Sequence, residues 1–131
     1  MNVKTDTKEK FIVLTPEVDA ISANMTEEVA GLAGYATKDI PHLIINLENV
    51  KDIAPEAAKK LAELQQEFYD RDRSFVICAL QDKVEQVFDE QELSDMMNIT
   101  PTESEAWDIV QMEEIERELM GGFDGDGQDS K

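Results

Sequence analysis

Short apolar runs separated by amphipathic stretches set the pattern of this chain. Three runs are nearly continuous and rich in β-branched residues, over residues 11–14, 43–47 and 75–80. Runs of this length and composition are typical of strands that are buried on both faces of a sheet. A weaker fourth strand is predicted at residues 97–99.

Helical spacing fills the intervals between these runs. The clearest helix follows Pro55, because Ala57, Leu61, Leu64 and Phe68 lie on one helical face. Proline suits the first position of a helix, where its missing N–H costs nothing. We therefore predict that this helix begins at Pro55.

Three further helices are predicted from caps and periodicity. Asn24 with Glu27 forms a potential capping pair before the first helix, and a short helix is expected over residues 84–88. The last helix opens with a capping box from Thr102 to Glu105. We expect it to end at the glycine pair 121–122.

Strands and helices alternate along the chain, which predicts an α/β fold. Its sheet should be mostly parallel, with about four to five strands, right-handed crossovers and about four helices. The length of 131 residues corresponds to one domain. We predict a flexible N-terminus at residues 1–9, a single domain at residues 10–120 and a disordered acidic tail at residues 121–131.

The chain is strongly acidic, with a formal net charge of -18. Such a surface repels nucleic-acid phosphates and anionic lipid, and it favours a partner with a basic patch. No apolar run approaches the roughly 20 residues needed to cross a bilayer, and the sequence MNVKTDTKEK lacks the apolar core of a secretory signal. We therefore expect a cytoplasmic protein without membrane insertion or nucleic-acid binding.

Residues that carry catalysis or bind metals are scarce in suitable settings. His42 is the single histidine and stands at a predicted strand end, and the single cysteine, Cys78, lies within an apolar strand. Residues 124–129 resemble the opening of a calcium loop, but the chain stops before the required twelfth-position glutamate. Trp107 is interpreted as a packing anchor. We predict no enzyme activity, no cofactor and no metal site.

Four passages, in this order, resemble the STAS domain, the fold of bacterial anti-sigma factor antagonists. They are residues 14–19, 43–50, 75–79, and 84–88 with Leu93. The sequence Leu-Thr-Pro-Glu-Val-Asp at 14–19 stands where the family has a leucine, a small loop residue and Gly-Glu-Leu-Asp. The resemblance extends over about residues 10–112 and implies a STAS-like fold.

The resemblance fails where the family carries its phosphorylation switch. Switching members have Asp-Ser-Ser-Gly or a similar sequence at the start of the second helix. Counted from Leu47 without gaps, those positions are here residues 54–57, Ala-Pro-Glu-Ala, and a two-residue deletion would instead align Asp52 and Ile53. Neither alignment places a serine or threonine at the phosphoacceptor position, so we expect the phosphorylation switch to be lost.

The glutamate at this helix start, Glu56, has two interpretations. It is an ordinary first-turn acid, worth about 0.3–1 kcal/mol beside the helix dipole. Alternatively, it partly mimics a permanently phosphorylated state, with less charge and fewer acceptor oxygens than a phosphate. The sequence alone leaves both open.

The resemblance implies a regulatory protein-binding function, with a kinase-like anti-sigma factor as partner. It places the docking surface on Asp52, Ile53, Pro55, Glu56 and Lys59. A solvated helix face is the plainer interpretation of the same residues.

Two alternatives concern assembly. The domain could be a non-enzymatic adaptor subunit of a larger complex, such as a transport ATPase assembly. A homodimer through the last helix is also open if its apolar residues are exposed, namely Met112, Ile115, Leu119 and Met120.

Overall fold

A five-stranded sheet forms the centre of the molecule in the computed structural model, which describes residues 1–124. The described residues form seven strands, five in this sheet and two in a separate short pair. They are β1 (Val3–Thr7), β2 (Phe11–Pro16), β3 (Ala20–Ile21), β4 (His42–Asn46), β5 (Asp52–Ile53), β6 (Phe75–Cys78) and β7 (Ile99–Thr100). The helices are α1 (Thr26–Ala36), α2 (Pro55–Asp70), α3 (Asp82–Glu90) and α4 (Glu103–Asp124).

The sheet has the strand order β1-β2-β4-β6-β7. All its neighbours are parallel except β1, which runs antiparallel to β2. A separate short pair joins β3 to β5 in parallel. The predicted α/β fold with a mostly parallel sheet and four helices is therefore confirmed.

Two hydrophobic layers cover the sheet, one on each face. The larger layer contains α1, α2 and α3, and its buried residues include the predicted α2 face from Ala57 to Phe68. The smaller layer joins Phe11, Val13 and Ile44 to Ala106 and Val110 of α4. Because both faces are covered, the central strands consist of buried residues throughout.

The N-terminal residues correct the prediction of a flexible segment at 1–9. Val3–Thr7 forms β1, which pairs residue by residue with β2, for example Thr5 with Leu14. The side chains of Thr5 and its neighbours are exposed, so no hydrophobic pattern marks this strand. Its role is to satisfy the backbone groups of β2, which would otherwise form an open sheet edge.

Helix ends differ from the prediction at two places. Helix α1 begins at Thr26, after a short 3-10 turn at Ala23–Met25, and not directly behind Asn24. Helix α4 continues through the glycine pair 121–122 to Asp124, so the predicted end there is wrong. Of the predicted disordered tail, residues 125–131 lie outside the described residues.

The start of α4 has one of the two hydrogen bonds of the predicted capping box, while the Glu105 carboxylate accepts from the Thr102 hydroxyl instead of the Thr102 N–H. The Glu105 N–H donates to Thr102 Oγ1 over 3.3 Å, which satisfies one free donor of the first turn. Among the described residues, no helix has the length and apolar character to cross a membrane.

His42 joins α4 to the sheet beneath it. Its side chain is 2% exposed, and the Ser74 N–H donates to Nδ1 over 2.9 Å. The ring proton of the neutral imidazole therefore sits on Nε2, which donates to Glu114 Oε2 at 2.5 Å. The predicted strand-end histidine is thus a buried link between β4 and α4.

A second carboxylate of α4 extends this link. Glu113 accepts hydrogen bonds from the Ser74 hydroxyl at 2.6 Å and from the Tyr69 hydroxyl at 2.7 Å. Arg117 donates to the same Ser74 hydroxyl over 3.0 Å. These bonds connect α4 with β6 and with the end of α2, so the helix is fixed by polar as well as apolar contacts.

Burial lowers the pKa of His42, although the hydrogen bond and charge of Glu114 oppose that shift. The pKa of Glu114 is lowered in turn, chiefly by the hydrogen bond from His42. Both shifts describe a neutral imidazole that donates to an ionised carboxylate.

This arrangement predicts how stability depends on pH. In the unfolded chain the pKa of His42 is about 6.5. At lower pH the unfolded state therefore binds a proton that the folded state does not bind. Between pH 7.5 and 5.5, His42 should lower the free energy of unfolding by up to about 1.4 kcal/mol. Urea unfolding of the wild type and of His42→Gln over this range measures the difference.

Because the chain has one histidine, His42→Gln removes the whole histidine contribution. Glu114→Gln is the matched control: it removes a group that raises the His42 pKa, so the pH dependence should persist. If the free energy of unfolding changed with pH by the same amount in the wild type and in His42→Gln, the assignment of a neutral, buried imidazole would be contradicted.

Candidate docking site at the start of the second helix

The short β3–β5 pair positions the loop that leads into α2. Ile21 pairs with Ile53, and the Ala54 N–H donates to the Ile21 carbonyl over 2.8 Å. Two residues earlier, the Asp52 N–H donates to the Asp19 carbonyl over 3.1 Å. These backbone bonds fix the loop before Pro55, so the first turn of α2 begins at a defined place.

Ile53 corrects the predicted docking surface. Its side chain is 2% exposed and belongs to the larger hydrophobic layer, so it cannot contact a partner. Asp52, the preceding residue in β5, points the other way because strand side chains alternate. Ile53 anchors the loop, and Asp52 is left half-buried at the surface.

Pro55, Glu56 and Lys59 are exposed on the first turns of α2. Residues three and four apart on a helix are neighbours, so Lys59 lies beside both of the others. The structure therefore brings four predicted residues, including Asp52, to one end of the molecule.

The first turn of α2 lacks a side-chain cap. Ala54 occupies the cap position with an extended backbone, φ -71 and ψ 146, and makes no side-chain hydrogen bond. Pro55 at the next position has no N–H, and Glu56 is the one acid of the first turn. The positive end of the helix dipole thus faces a single fixed negative charge.

Sequence reasoning missed Lys83, which completes this surface. Lys83 Nζ lies 3.4 Å from Asp52 Oδ2, and the Gln81 amide donates to the Glu48 carbonyl over 2.8 Å. These contacts bring the start of α3 beside the start of α2. Helices that follow neighbouring parallel strands begin at the same sheet edge, so the fold prediction contained this signal. We call Asp52, Pro55, Glu56, Lys59 and Lys83 the helix-start surface.

Cys78 and Trp107 occupy structural positions. Burial raises the pKa of the Cys78 thiol to about 12, with smaller contributions from Glu103 and Glu48, so the thiol stays neutral. Trp107 packs edge to face on Phe11 with ring centroids 5.2 Å apart, which agrees with the predicted packing anchor. The calcium-like stretch at 124–129 lies outside the described residues except for Asp124.

The uncapped start of α2 predicts a stabilising substitution. In Ala54→Ser the hydroxyl can accept an N–H of the first turn, which should raise the free energy of unfolding by about 0.5–2 kcal/mol. Urea unfolding measures the gain. Ala54→Gly is the control for the hydroxyl: glycine is also preferred over alanine at this position, so the serine variant should exceed the glycine variant by only a few tenths of a kcal/mol. A serine variant no more stable than the wild type would contradict the cap geometry.

Comparison with known proteins agrees with this architecture. The model of the STAS domain family matches residues 2–106, which include β1 and the helix-start surface. No curated protein matches significantly.

Three solved structures illustrate the likeness of fold. TM1081 of Thermotoga maritima is 16% identical with a TM-score of 0.73, over 83% of this chain and 94% of that one. The unphosphorylated anti-sigma factor antagonist SpoIIAA, a Bacillus cell fate determinant, is 15% identical with a TM-score of 0.68, over 84% and 96%. Murine Slc26a9, an anion transporter, is 13% identical with a TM-score of 0.60, over 82% of this chain and 18% of that one.

At these identities the structures show the fold alone. The family match extends over residues 2–106, most of the chain, and includes all seven strands, helices α1 to α3 and the helix-start surface described above. This chain therefore belongs to the STAS domain family.

Proposed function

We propose that this chain is a regulatory, non-enzymatic domain that docks a partner protein through the helix-start surface without a phosphorylation switch. The observation that carries the proposal is the exposed first turn of α2. Counted from Leu47 without gaps, Pro55 stands where switching members of the family have the phosphoacceptor. SpoIIAA, which shares the fold, is described as an anti-sigma factor antagonist and is known in unphosphorylated and phosphorylated forms.

The charges of the helix-start surface support a protein partner. Two acidic residues, Asp52 and Glu56, and two basic residues, Lys59 and Lys83, share this surface with the exposed Pro55. A small apolar centre with mixed charges around it is suited to specific docking, because opposite charges fix the register of two proteins. The partner that we propose is a kinase-like anti-sigma factor.

The loss of the switch follows from the side chains available. Residues 38–73 contain neither serine nor threonine, so the loop and all of α2 lack an aliphatic hydroxyl. A phosphoryl group would add about 1.5–2 negative charges at this helix start. Glu56 supplies one charge permanently, so the surface has a single electrostatic state.

Reversing the charge at the helix start should abolish docking. In Glu56→Lys a positive charge meets both the positive end of the helix dipole and the nearby Lys59, so the partner should bind at least about tenfold more weakly. Tagged wild type and variant are compared by pull-down from the native lysate. The affinity of the recovered protein is then measured by calorimetry.

Glu67→Lys is the matched control for this experiment. It makes the same charge change on the exposed side of the same helix, about 16 Å further along the helix axis. It should bind like the wild type. Equal binding by Glu56→Lys and the wild type would refute the docking site, and recovery of a transporter subunit would favour an adaptor function instead.

A second prediction concerns phosphorylation. With the kinase-like partner and ATP, the wild type should take up no phosphate at the start of α2. Pro55→Ser should create an acceptor there, since it places a hydroxyl at the exposed first helical position. Mass spectrometry of the digested protein locates the phosphate in each case.

Ser22 provides the critical check. It is exposed and directly follows Ile21, whose carbonyl bonds to the Ala54 N–H, so its hydroxyl lies near the same helix start. Stoichiometric phosphate on Ser22 of the wild type would contradict the proposed loss of the switch.

A further inference from the structure

Helix α4 exposes apolar side chains on the side that faces away from the sheet. Met112, Ile115, Leu119 and Met120 are 59%, 56%, 58% and 65% exposed. The first three are spaced by three and four residues and form one continuous row. We call Met112, Ile115 and Leu119 the outer stripe; Met120 lies about 100° away from it around the helix.

Packing of the fold does not explain the outer stripe. At 3.6 residues per turn, the row of Met112, Ile115 and Leu119 points about 170° away from Ala106 and Val110, which pack on the sheet. The helix is therefore apolar on two opposite sides. Exposed apolar residues in a row mark a site of interaction more often than isolated ones do.

Residues 125–131 read GDGQDSK and contain no apolar side chain. We consider a separate polypeptide as the cover of the outer stripe.

The charges beside the outer stripe select that polypeptide. Glu105, Asp108 and Glu116 are exposed on the same side of α4 as the stripe. The single basic residue of α4, Arg117, is directed inward, where it donates to Ser74. A second copy of this chain would bring two acidic flanks together, whereas a basic partner would neutralise them.

A cavity beside the stripe offers an anchor position. It has a volume of about 490 Å³ and is lined by Phe11, Trp107, Val110 and Ile115 among others. Its far rim carries Lys10, which pairs with Glu114 and Glu118 at 3.6 and 3.9 Å. Those two carboxylates are engaged, so Asp108 and Glu116 remain for basic side chains of a partner.

We propose that the outer stripe binds a basic amphipathic helix of a partner protein, with one bulky apolar side chain in the adjoining cavity. The helix lies along α4 and places its lysines or arginines over Asp108 and Glu116. This site is on the opposite face of the sheet from α2, so a second protein can be bound while the helix-start surface is occupied.

The probe is a synthetic peptide of about 18 leucines and lysines arranged as an amphipathic helix. A scrambled peptide of the same composition, without an apolar face, is its control. Trp107 is the only tryptophan of the chain and lines the cavity, so its fluorescence reports binding. The wild type should bind the amphipathic peptide at least about tenfold more tightly than the scrambled one.

The triple variant Met112→Gln, Ile115→Gln, Leu119→Gln should lose this preference. Its midpoint of urea unfolding should stay close to that of the wild type, since surface substitutions are usually neutral. The matched control is Tyr35→Gln with Met96→Gln, which removes exposed apolar residues elsewhere (82% and 64% exposed) and should keep the preference. Glu56→Lys should also keep it, which separates this site from the helix-start surface.

Two results would overturn the proposal. If the triple variant still prefers the amphipathic peptide, or if the wild type shows no preference, binding is general attraction to an acidic protein. If sedimentation shows a wild-type dimer that the triple variant converts to a monomer, the stripe is occupied by a second copy. A preference that disappears only in the triple variant supports the proposal.

Discussion

Burial of the three central strands on both faces is the constraint from which the rest of the structure follows. Strands β2, β4 and β6 consist of buried residues, so each face of the sheet needs its own helical layer. Helices α1–α3 cover one face and α4 covers the other. Because parallel strands end at the same edge, the starts of α2 and α3 meet there and form the helix-start surface.

This constraint also decides what the sequence could predict. The continuous apolar runs and the periodicity of α2 arise directly from burial in the core. The α/β fold and the helix at Pro55 were therefore predictable from the sequence. Strand β1 was not, since it contributes backbone hydrogen bonds while its side chains stay exposed. Ile53 lies in a two-residue strand that is too short to show alternation. The glycines at 121–122 permit a helix end without requiring one.

Under the proposed function, the start of α2 carries a constant charge where switching members of the family have a variable one. A hydroxyl at this position would let a phosphoryl group change the surface by about 1.5–2 charges, whereas Pro55 fixes the backbone and Glu56 supplies one charge at all times. Under the proposed function, control of docking would have to come from the partner or from its abundance.

The net negative charge of the chain also affects the exposed apolar row on α4. An exposed apolar row on a small protein normally invites self-association. Here the net charge of -18 opposes the approach of a second copy, and the exposed carboxylates beside the stripe oppose it most where the copies would meet. The same charges attract a basic helix. If the outer stripe binds a basic helix as proposed, acidity acts as selection against the wrong partner and would allow the apolar row to remain exposed without joining identical chains.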